Sequence, residues 1–136
     1  MIQPINHDPI FLSRRSVPAT IMDLPVAKDL EDTLTAHAEG CVGMAANMIG
    51  VAKNIIVFDV NGTVMTMLNP EIIRKSGAYE TEEGCLSLPG VRKTKRYRSI
   101  TVTYQDKSFR KQTREFTGFI AEIIQHEIDH CNGILI

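Results

Sequence analysis

The sequence lacks any excess of charge of one sign and any long hydrophobic run. Its 15 Lys and Arg residues nearly balance 16 Asp and Glu residues, so the net charge is −1 at pH 7. Such a chain has no long-range field to attract nucleic acid or acidic lipid, and we expect neither DNA nor a membrane as its partner. No stretch approaches the roughly 20 apolar residues of a membrane span, and Met1–Pro4 is not a basic segment followed by an apolar run. We therefore expect a cytoplasmic protein.

Cysteine is scarce, and repeats, low-complexity tracts and linker-like stretches are absent. The three cysteines are an odd number, which argues against a disulfide framework in a chain without an apparent export signal. We expect Cys41 and Cys131 to pack as small apolar side chains. With 136 residues, 43% of them hydrophobic, the chain has the size and composition of one globular domain. We predict a single domain over residues 1–136.

The hydrophobic periodicity predicts a helix towards each end of the chain, with strands between them. A helix capped at Asp23 should end at Gly40, and a second helix should cover residues 118–130. Alternating and β-branched segments, separated by turn residues such as Asn61-Gly62, predict strands at residues 55–58, 63–68, 100–104 and 112–116. Strands between two helices indicate the α+β class.

The residues with the clearest chemistry lie in the second predicted helix. His126 and His130 are four residues apart and share one helix face, so both imidazoles can bind one metal ion. Glu127 lies beside them and can accept a proton from a water molecule whose pKa the ion lowers. Phe119 and Ile123 share this face and would form an apolar wall beside the metal. Two histidines packed in an ordinary core are the alternative, but that interpretation leaves a buried Glu127 without a partner. The pattern favours a metal-dependent hydrolase.

A catalytic metal site of this kind needs a third protein ligand, with a fourth position left open. The segment Glu82–Pro89 contains two candidates, the thiol of Cys85 and the carboxylate of Glu83. A thiolate ligand would favour iron, zinc or another ion that tolerates sulfur. Spacing alone does not choose between the two residues.

Three segments of the sequence resemble the signatures of the peptide deformylases. That family has a Gly-x-Gly-x-Ala-Ala-x-Gln loop, a Glu-Gly-Cys-Leu-Ser segment and a Gln-His-Glu-x-Asp-His helix. Here the second stands intact at Glu83–Ser87 and the third at Gln125–His130, while Cys41–Met48 is an altered form of the first. The resemblance implies an α+β fold with antiparallel sheets packed around the C-terminal HExxH helix. It also implies a reaction, the removal of formate from the N-formylmethionine that begins bacterial proteins.

The resemblance implies the metal ligands and the acid–base group. Cys85, His126 and His130 would bind one divalent ion, natively Fe²⁺ in this family and often Ni²⁺ or Zn²⁺ in preparations. Glu127 would be the general base and then the acid that protonates the leaving amine. The backbone N–H of Leu86 would help to hold the developing oxyanion.

The same resemblance implies how a peptide substrate binds. Val42 and Gly43 would lie along the main chain of the peptide as an added strand does. Arg92, Phe119 and Ile123 would line the pocket for the N-terminal methionine side chain or its surroundings.

The first signature departs from the family at two positions. Met48 stands where the family has Gln, and a thioether cannot donate the hydrogen bond that a Gln side chain gives to the oxyanion. Losing one such donor typically lowers the rate by about 10²–10³. Cys41 stands where the family has Gly, and its β-carbon would crowd a loop built for glycine. We therefore expect deformylase activity that is reduced.

The same residues allow two other interpretations. In the first, the chain is a deformylase paralogue that keeps the metal site but binds N-terminal peptides or hydrolyses another N-acyl substrate. A general HExxH metalloprotease is disfavoured, because its third ligand usually follows the helix, where only Cys131 and Asn132 lie. Arg92–Arg98 contains five basic residues, which we interpret as a solvated loop or strand edge, with a transient ribosome contact as the alternative.

Overall fold

The computed structural model describes residues 1–136 and contains three helices and five strands. The helices are α1 (Pro9–Leu12), α2 (Leu24–Ala36) and α3 (Gly118–Cys131). The strands are β1 (Gly43–Ala45), β2 (Ile55–Val60), β3 (Thr63–Gly84), β4 (Val91–Gln105) and β5 (Lys111–Thr117). Short 3₁₀ helices at Ile21–Asp23 and Ala46–Ile49 precede α2 and follow β1. All neighbouring strands are antiparallel and form one sheet in the order β1-β2-β3-β4-β5, so the α+β prediction is confirmed.

The sheet lies between α2 on one face and α3 on the other, and the side chains of β2 show why. Ile55 and Val57 point to the core cluster that includes α2, whereas Ile56 and Phe58 point to the cluster that includes α3. Successive strand residues face opposite sides of a sheet, so a strand covered on both sides is apolar at every position. The buried run of β2 therefore forms the centre of both cores.

Two predictions about α2 were wrong. The helix ends at Ala36 rather than Gly40, because the following N–H groups turn to carbonyls only three residues back, such as Gly40 N–H to His37 O at 3.0 Å. Asp23 does not cap α2 with its side chain. Its carboxylate instead accepts the backbone N–H of Thr20 at 2.8 Å and so caps the 3₁₀ helix that precedes α2.

The β2–β3 hairpin was predicted correctly, but the length of β3 was not. Asn61 and Gly62 both have positive φ, which is the backbone of a two-residue hairpin turn. The predicted strand ends at Leu68, whereas β3 continues to Gly84. Its register against β4 shifts between Leu68 and Glu71 and again between Ile72 and Arg74. Apart from Ile72 and Ile73, residues 69–84 are mostly polar or small, so pairing with β4 forms the strand and no local alternation predicts it.

No helix of the structure is long and apolar enough to cross a bilayer.

Replacing Phe58 by Ala should test the core on the α3 side. Phe58 is fully buried and packs edge-on against Phe116, with ring centroids 6.2 Å apart. Removing such a ring leaves a cavity, and we expect the free energy of unfolding to fall by about 3–5 kcal/mol. Ile73→Ala is the control, because Ile73 is 55% exposed on β3 and should change stability by less than about 0.5 kcal/mol. Urea denaturation measures both, and equal effects would contradict this assignment of the core.

Candidate active site

Three potential ligand atoms meet where α3 passes the end of β3. The Nε2 atoms of His126 and His130 lie 3.2 Å apart, and the Sγ atom of Cys85 lies 3.2 Å from His130 Nε2. All three atoms lie within 4.8 Å of one another. The two histidines are buried, and Cys85 is half-buried in the loop that follows Gly84. The structure thus brings together residues that lie up to 45 positions apart in the chain.

This donor set fits one metal ion. Imidazole nitrogens bind such ions at about 2.0–2.1 Å, so two of them around one tetrahedral ion are roughly 3.3 Å apart. The nitrogen separation here agrees with that figure. Glu83, the alternative third ligand, does not join the set, since its carboxylate faces away from the Nε2 atoms and contacts Nδ1 of His126 at 2.8 Å.

Glu83 instead belongs to a buried network that orients His126. Nδ1 of His126 donates a hydrogen bond to the Glu83 carboxylate. The same carboxylate accepts hydrogen bonds from two nitrogens of Arg96, one of them at 2.8 Å. Arg96 is 4% exposed and reaches Asp129 on α3 at 2.6 Å through its other terminal nitrogen. Burial would raise the pKa of Glu83, but the hydrogen bonds from His126 and Arg96 outweigh it and lower the pKa to about 2. A carboxylate behind a ligating imidazole selects its tautomer and raises its basicity.

The network corrects the expectation for the basic run. Residues 92–98 belong to β4, where Arg96 points to the core side like Ile100 and Val102, so it is not solvated. The exposed Lys93 and Lys95 lie opposite Glu82 and Glu80 in the register of β3. Sequence reasoning missed Arg96 and Asp129. The available signal was the even spacing of Arg96 from Ile100 and Val102, which places them on one face of a strand.

Glu127 is buried beside the donor set and has an unpaired oxygen. Its side chain is 4% exposed, and Oε1 has no hydrogen-bond partner in the protein. Burial raises the pKa of Glu127 to about 7, although the neighbouring His126 opposes this increase. Gly43 allows the close approach of β1, because a β-carbon there would lie 2.9 Å from Glu127 Oε2 and 2.7 Å from Ile123 Cγ2. A carboxylate poised near neutrality with a free oxygen suits general base catalysis.

A cavity of about 720 Å³ opens onto this site between β1, the loop after β3 and α3. Four of the five predicted substrate residues line it, namely Val42, Gly43, Phe119 and Ile123, and so do Met48 and Leu86, the two positions assigned to the oxyanion. Phe119 lies at the rim, since it is 62% exposed. Arg92 was predicted to line the pocket and does not. Its guanidinium instead donates to the carbonyl of Pro89 at 3.4 Å.

The altered first signature lies in the wall of the cavity. Met48 is 1% exposed, and its Sδ accepts the backbone N–H of Ala45 at 3.5 Å. The thiol of Cys41 donates to the carbonyl of Gly43 at 3.1 Å and lines the cavity, so it does more than pack in a core. Cys131 is buried in the core as expected. The side chain at position 48 therefore reaches the site but brings no hydrogen-bond donor to it.

Comparison with known proteins agrees with this geometry. A family model described as polypeptide deformylase matches residues 2–136. A peptide deformylase of Clostridium beijerinckii is 56% identical over 136 residues, which is 100% of both chains. The chain belongs to the peptide deformylase family. This deformylase family is metal-dependent, and the Cys85, His126 and His130 donors form a possible metal site in this member.

Solved deformylases have the same fold. A peptide deformylase from Legionella pneumophila matches with a TM-score of 0.90 and 36% identity, over 99% of this chain and 83% of that one. A class I type b enzyme from Acinetobacter baumannii, solved with Met-Ala-Ser bound, matches with a TM-score of 0.89 and 27% identity, over 99% and 97% of the two chains. The predicted arrangement of the sheet around the HExxH helix is confirmed.

Replacing Glu83 by Gln should weaken metal binding in this deformylase. The amide cannot stabilise the His126 imidazole as the carboxylate does, and Arg96 loses one of its two anionic partners. Loss of a hydrogen-bond partner of a metal-ligating residue typically lowers the affinity for the metal about 10–100-fold, and we expect a decrease of at least tenfold here. Competition with a chromogenic chelator measures the affinity. Glu82→Gln makes the same chemical change at the exposed neighbouring residue and should bind metal as the unaltered protein does. Equal affinity in all three proteins would show that Glu83 does not support the site.

Proposed function

We propose that this protein removes the formyl group from N-formylmethionyl peptides of nascent proteins, as one domain spanning residues 1–136. The observation that carries the proposal is the free oxygen of Glu127, buried beside three converging ligand atoms at the base of a peptide-sized cavity. Membership of the peptide deformylase family supports the same reaction. Formate release from formyl-Met-Ala-Ser, measured with metal-loaded protein, is the direct test.

Cys85, His126 and His130 would hold one divalent ion. When bound, that ion supplies Lewis-acid chemistry, which polarises a carbonyl oxygen and lowers the pKa of water. We propose Fe²⁺ as the native ion, with Zn²⁺ or Ni²⁺ able to replace it, because a set of one thiolate and two imidazoles accepts each of these metals.

Glu127 would carry the proton through the reaction. Its carboxylate accepts a proton from the attacking water as the water oxygen bonds to the formyl carbon. The same proton then passes to the peptide nitrogen as the carbon–nitrogen bond breaks, which leaves a free amino terminus and formic acid, and the acid loses its remaining proton to water as formate. The N–H of Leu86 would stabilise the negative charge that develops on the formyl oxygen.

The edge of the sheet offers a place for the peptide main chain. β1 is the end strand, hydrogen-bonded only to β2, and Val42 and Gly43 line the cavity. A peptide can add to such an edge as a further strand. Phe119 and Ile123 on α3 would face the methionine side chain. The related enzyme solved with Met-Ala-Ser bound shows that a family member accommodates a peptide of this length.

We also propose that the protein acts in the cytoplasm and makes a transient contact with the ribosome. The exposed cations of β4 support such a contact, namely Lys93, Lys95 and Arg98. Glu80 and Glu82 on β3 lie opposite the two lysines and reduce the positive charge of that face. The contact would therefore be weak and sensitive to salt.

Replacing Glu127 by Gln should abolish formate release and leave metal binding intact. The amide keeps the shape of the carboxylate but cannot accept a proton from water. Glu115→Gln is the control, since it makes the same change at an exposed position on β5. Metal content is measured by emission spectroscopy beside the rate. Turnover near the wild-type rate in Glu127→Gln would remove Glu127 from the role of base.

Replacing Met48 by Gln should raise kcat. The new amide would return a hydrogen-bond donor to the cavity wall, where it would act mainly on the charged transition state. We expect a gain of at least about tenfold, less than the full 10²–10³ associated with such a donor, because Cys41 also alters the loop. The double change with Cys41→Gly should exceed the product of the single effects.

The control for this gain is Met22→Gln, because Met22 is 81% exposed and outside the cavity lining, so its replacement should not change the rate. Steady-state formate release at matched metal content gives the comparison. No gain in Met48→Gln or in the double variant would mean that position 48 no longer serves the oxyanion.

A further inference from the structure

Two neighbouring residues of the N-terminal segment contact two sides of the cavity wall. The backbone N–H of Asn6 donates to the carbonyl of Met48 at 2.7 Å. Nδ1 of His7 lies 2.9 Å from the carbonyl of Ser87, and His7 also lines the cavity. The segment thus connects the 3₁₀ helix Ala46–Ile49, which carries Met48, with the loop that carries Cys85 and Leu86.

The contact with Ser87 determines which nitrogen of His7 carries a proton. A peptide carbonyl can only accept a hydrogen bond, so Nδ1 must donate. The bond is therefore available to both the neutral Nδ1–H tautomer and the imidazolium. Nε2 is left without a protein partner. A side chain that donates from the Nδ1 position can replace this contact, and one that donates only from the Nε2 position cannot.

The segment before His7 is itself fixed to the protein. The backbone N–H of Gln3 donates to Oγ1 of Thr33 on α2 at 2.9 Å, and its side-chain amide reaches Asp29 at 3.3 Å. Ile5 packs against the core cluster on the α2 side. Because the N-terminal segment is fixed at these points, it can restrain the loop that it contacts instead of moving with that loop.

The loop that receives this bond has little regular structure of its own. Residues 85–90 belong to no helix or strand, although Ser87 is 1% exposed. The Ser87 N–H makes a long contact of 3.4 Å with Cys85 Sγ, and its hydroxyl has no partner in the protein. Leu86 packs against the core cluster on the α2 side, and Ser87 and Leu88 are buried. The bond from His7 adds a restraint on the Ser87–Leu88 peptide group, which lies two peptide groups after the one that carries the Leu86 N–H.

We propose that His7 is a positioning residue, which through the Ser87 carbonyl restrains the loop that carries the Leu86 N–H beside the reacting group. The inference rests on the proposed function, since Leu86 matters to the rate only if its N–H meets a developing oxyanion. A restraint of this kind acts on the transition state more than on substrate binding, because a small displacement of a donor weakens the bond to the developing charge.

The test compares His7→Asn with His7→Gln. The amide nitrogen of Asn is as many bonds from Cα as Nδ1 of His, whereas that of Gln corresponds to Nε2. We expect His7→Gln to lower kcat for formyl-Met-Ala-Ser about fivefold, with unchanged KM and metal content, the factor that corresponds to one ordinary hydrogen bond. His7→Asn should stay within about twofold of the wild-type kcat. His37→Gln is the matched control, because His37 lies after α2 and outside the cavity lining.

Equal losses in the Asn and Gln variants would overturn the proposal, and so would no loss in either. A change confined to KM would also overturn it and would make His7 a substrate contact. Hydrogen exchange of the amides at residues 85–88 gives a readout that does not need turnover. Exchange should accelerate in His7→Gln and not in His7→Asn. If the wild-type protein releases no formate, the proposed function fails. Unaltered hydrogen exchange of these amides in His7→Gln would separately show that His7 does not hold the loop.

Discussion

The structure depends on the way a helix full of polar side chains is buried against the sheet. In α3, Gln125, His126, Glu127 and His130 are all buried, and each carries polar atoms that would be costly to leave without partners. Glu83 accepts the hydrogen bond of His126, and the Arg96 guanidinium in turn pairs with Glu83 and with Asp129 on the helix. Removing one partner of such a buried pair typically costs about 3–5 kcal/mol, because the other charge is left unpaired. The basic residue on β4 thus supports both the fold and the site.

Oε1 of Glu127 and Nδ1 of His130 are the buried side-chain atoms of this helix that have no hydrogen-bond partner in the protein. Gln125 is anchored at both ends of its amide to the backbone of Tyr97, and His126 is held by Glu83. Oε1 of Glu127 has no such partner, which costs about 1–3 kcal/mol in a typical protein interior. The cost is consistent with a group that must exchange a proton with water, because a carboxylate already engaged by a fixed donor would be a weaker base. The glycine at position 43 keeps β1 close enough to shield this group.

The metal-ligand side and the oxyanion side of the site differ in how completely they match the family signatures. The three ligand atoms and the Glu83 carboxylate that holds His126 are all in place. Met48, in contrast, brings a thioether whose sulfur accepts a hydrogen bond from the Ala45 N–H. The side chain fills the cavity wall without supplying a donor. The backbone N–H of Leu86 then becomes the main protein donor proposed for the oxyanion, so the position of its loop matters more than it would beside a Gln side chain.

The sequence by itself determined the features that depend on neighbours along the chain. The HExxH residues share a face because helix geometry repeats every 3.6 residues, and Asn61-Gly62 forms a hairpin turn because both residues tolerate positive φ. The α+β class and most of the strands followed from local alternation. The signature segments also identified the family that the comparisons show.

Only the tertiary structure decided between residues whose roles depend on distant partners. Cys85 rather than Glu83 joins the histidines, Arg96 is buried, Arg92 lies outside the cavity and His7 lies at its wall. These outcomes follow from the register of β3 on β4 and from the path of the N-terminal segment, which bring together residues up to 80 positions apart. Local propensity carries no information about such pairings, because a one-residue change of register would turn each strand side chain to the opposite face.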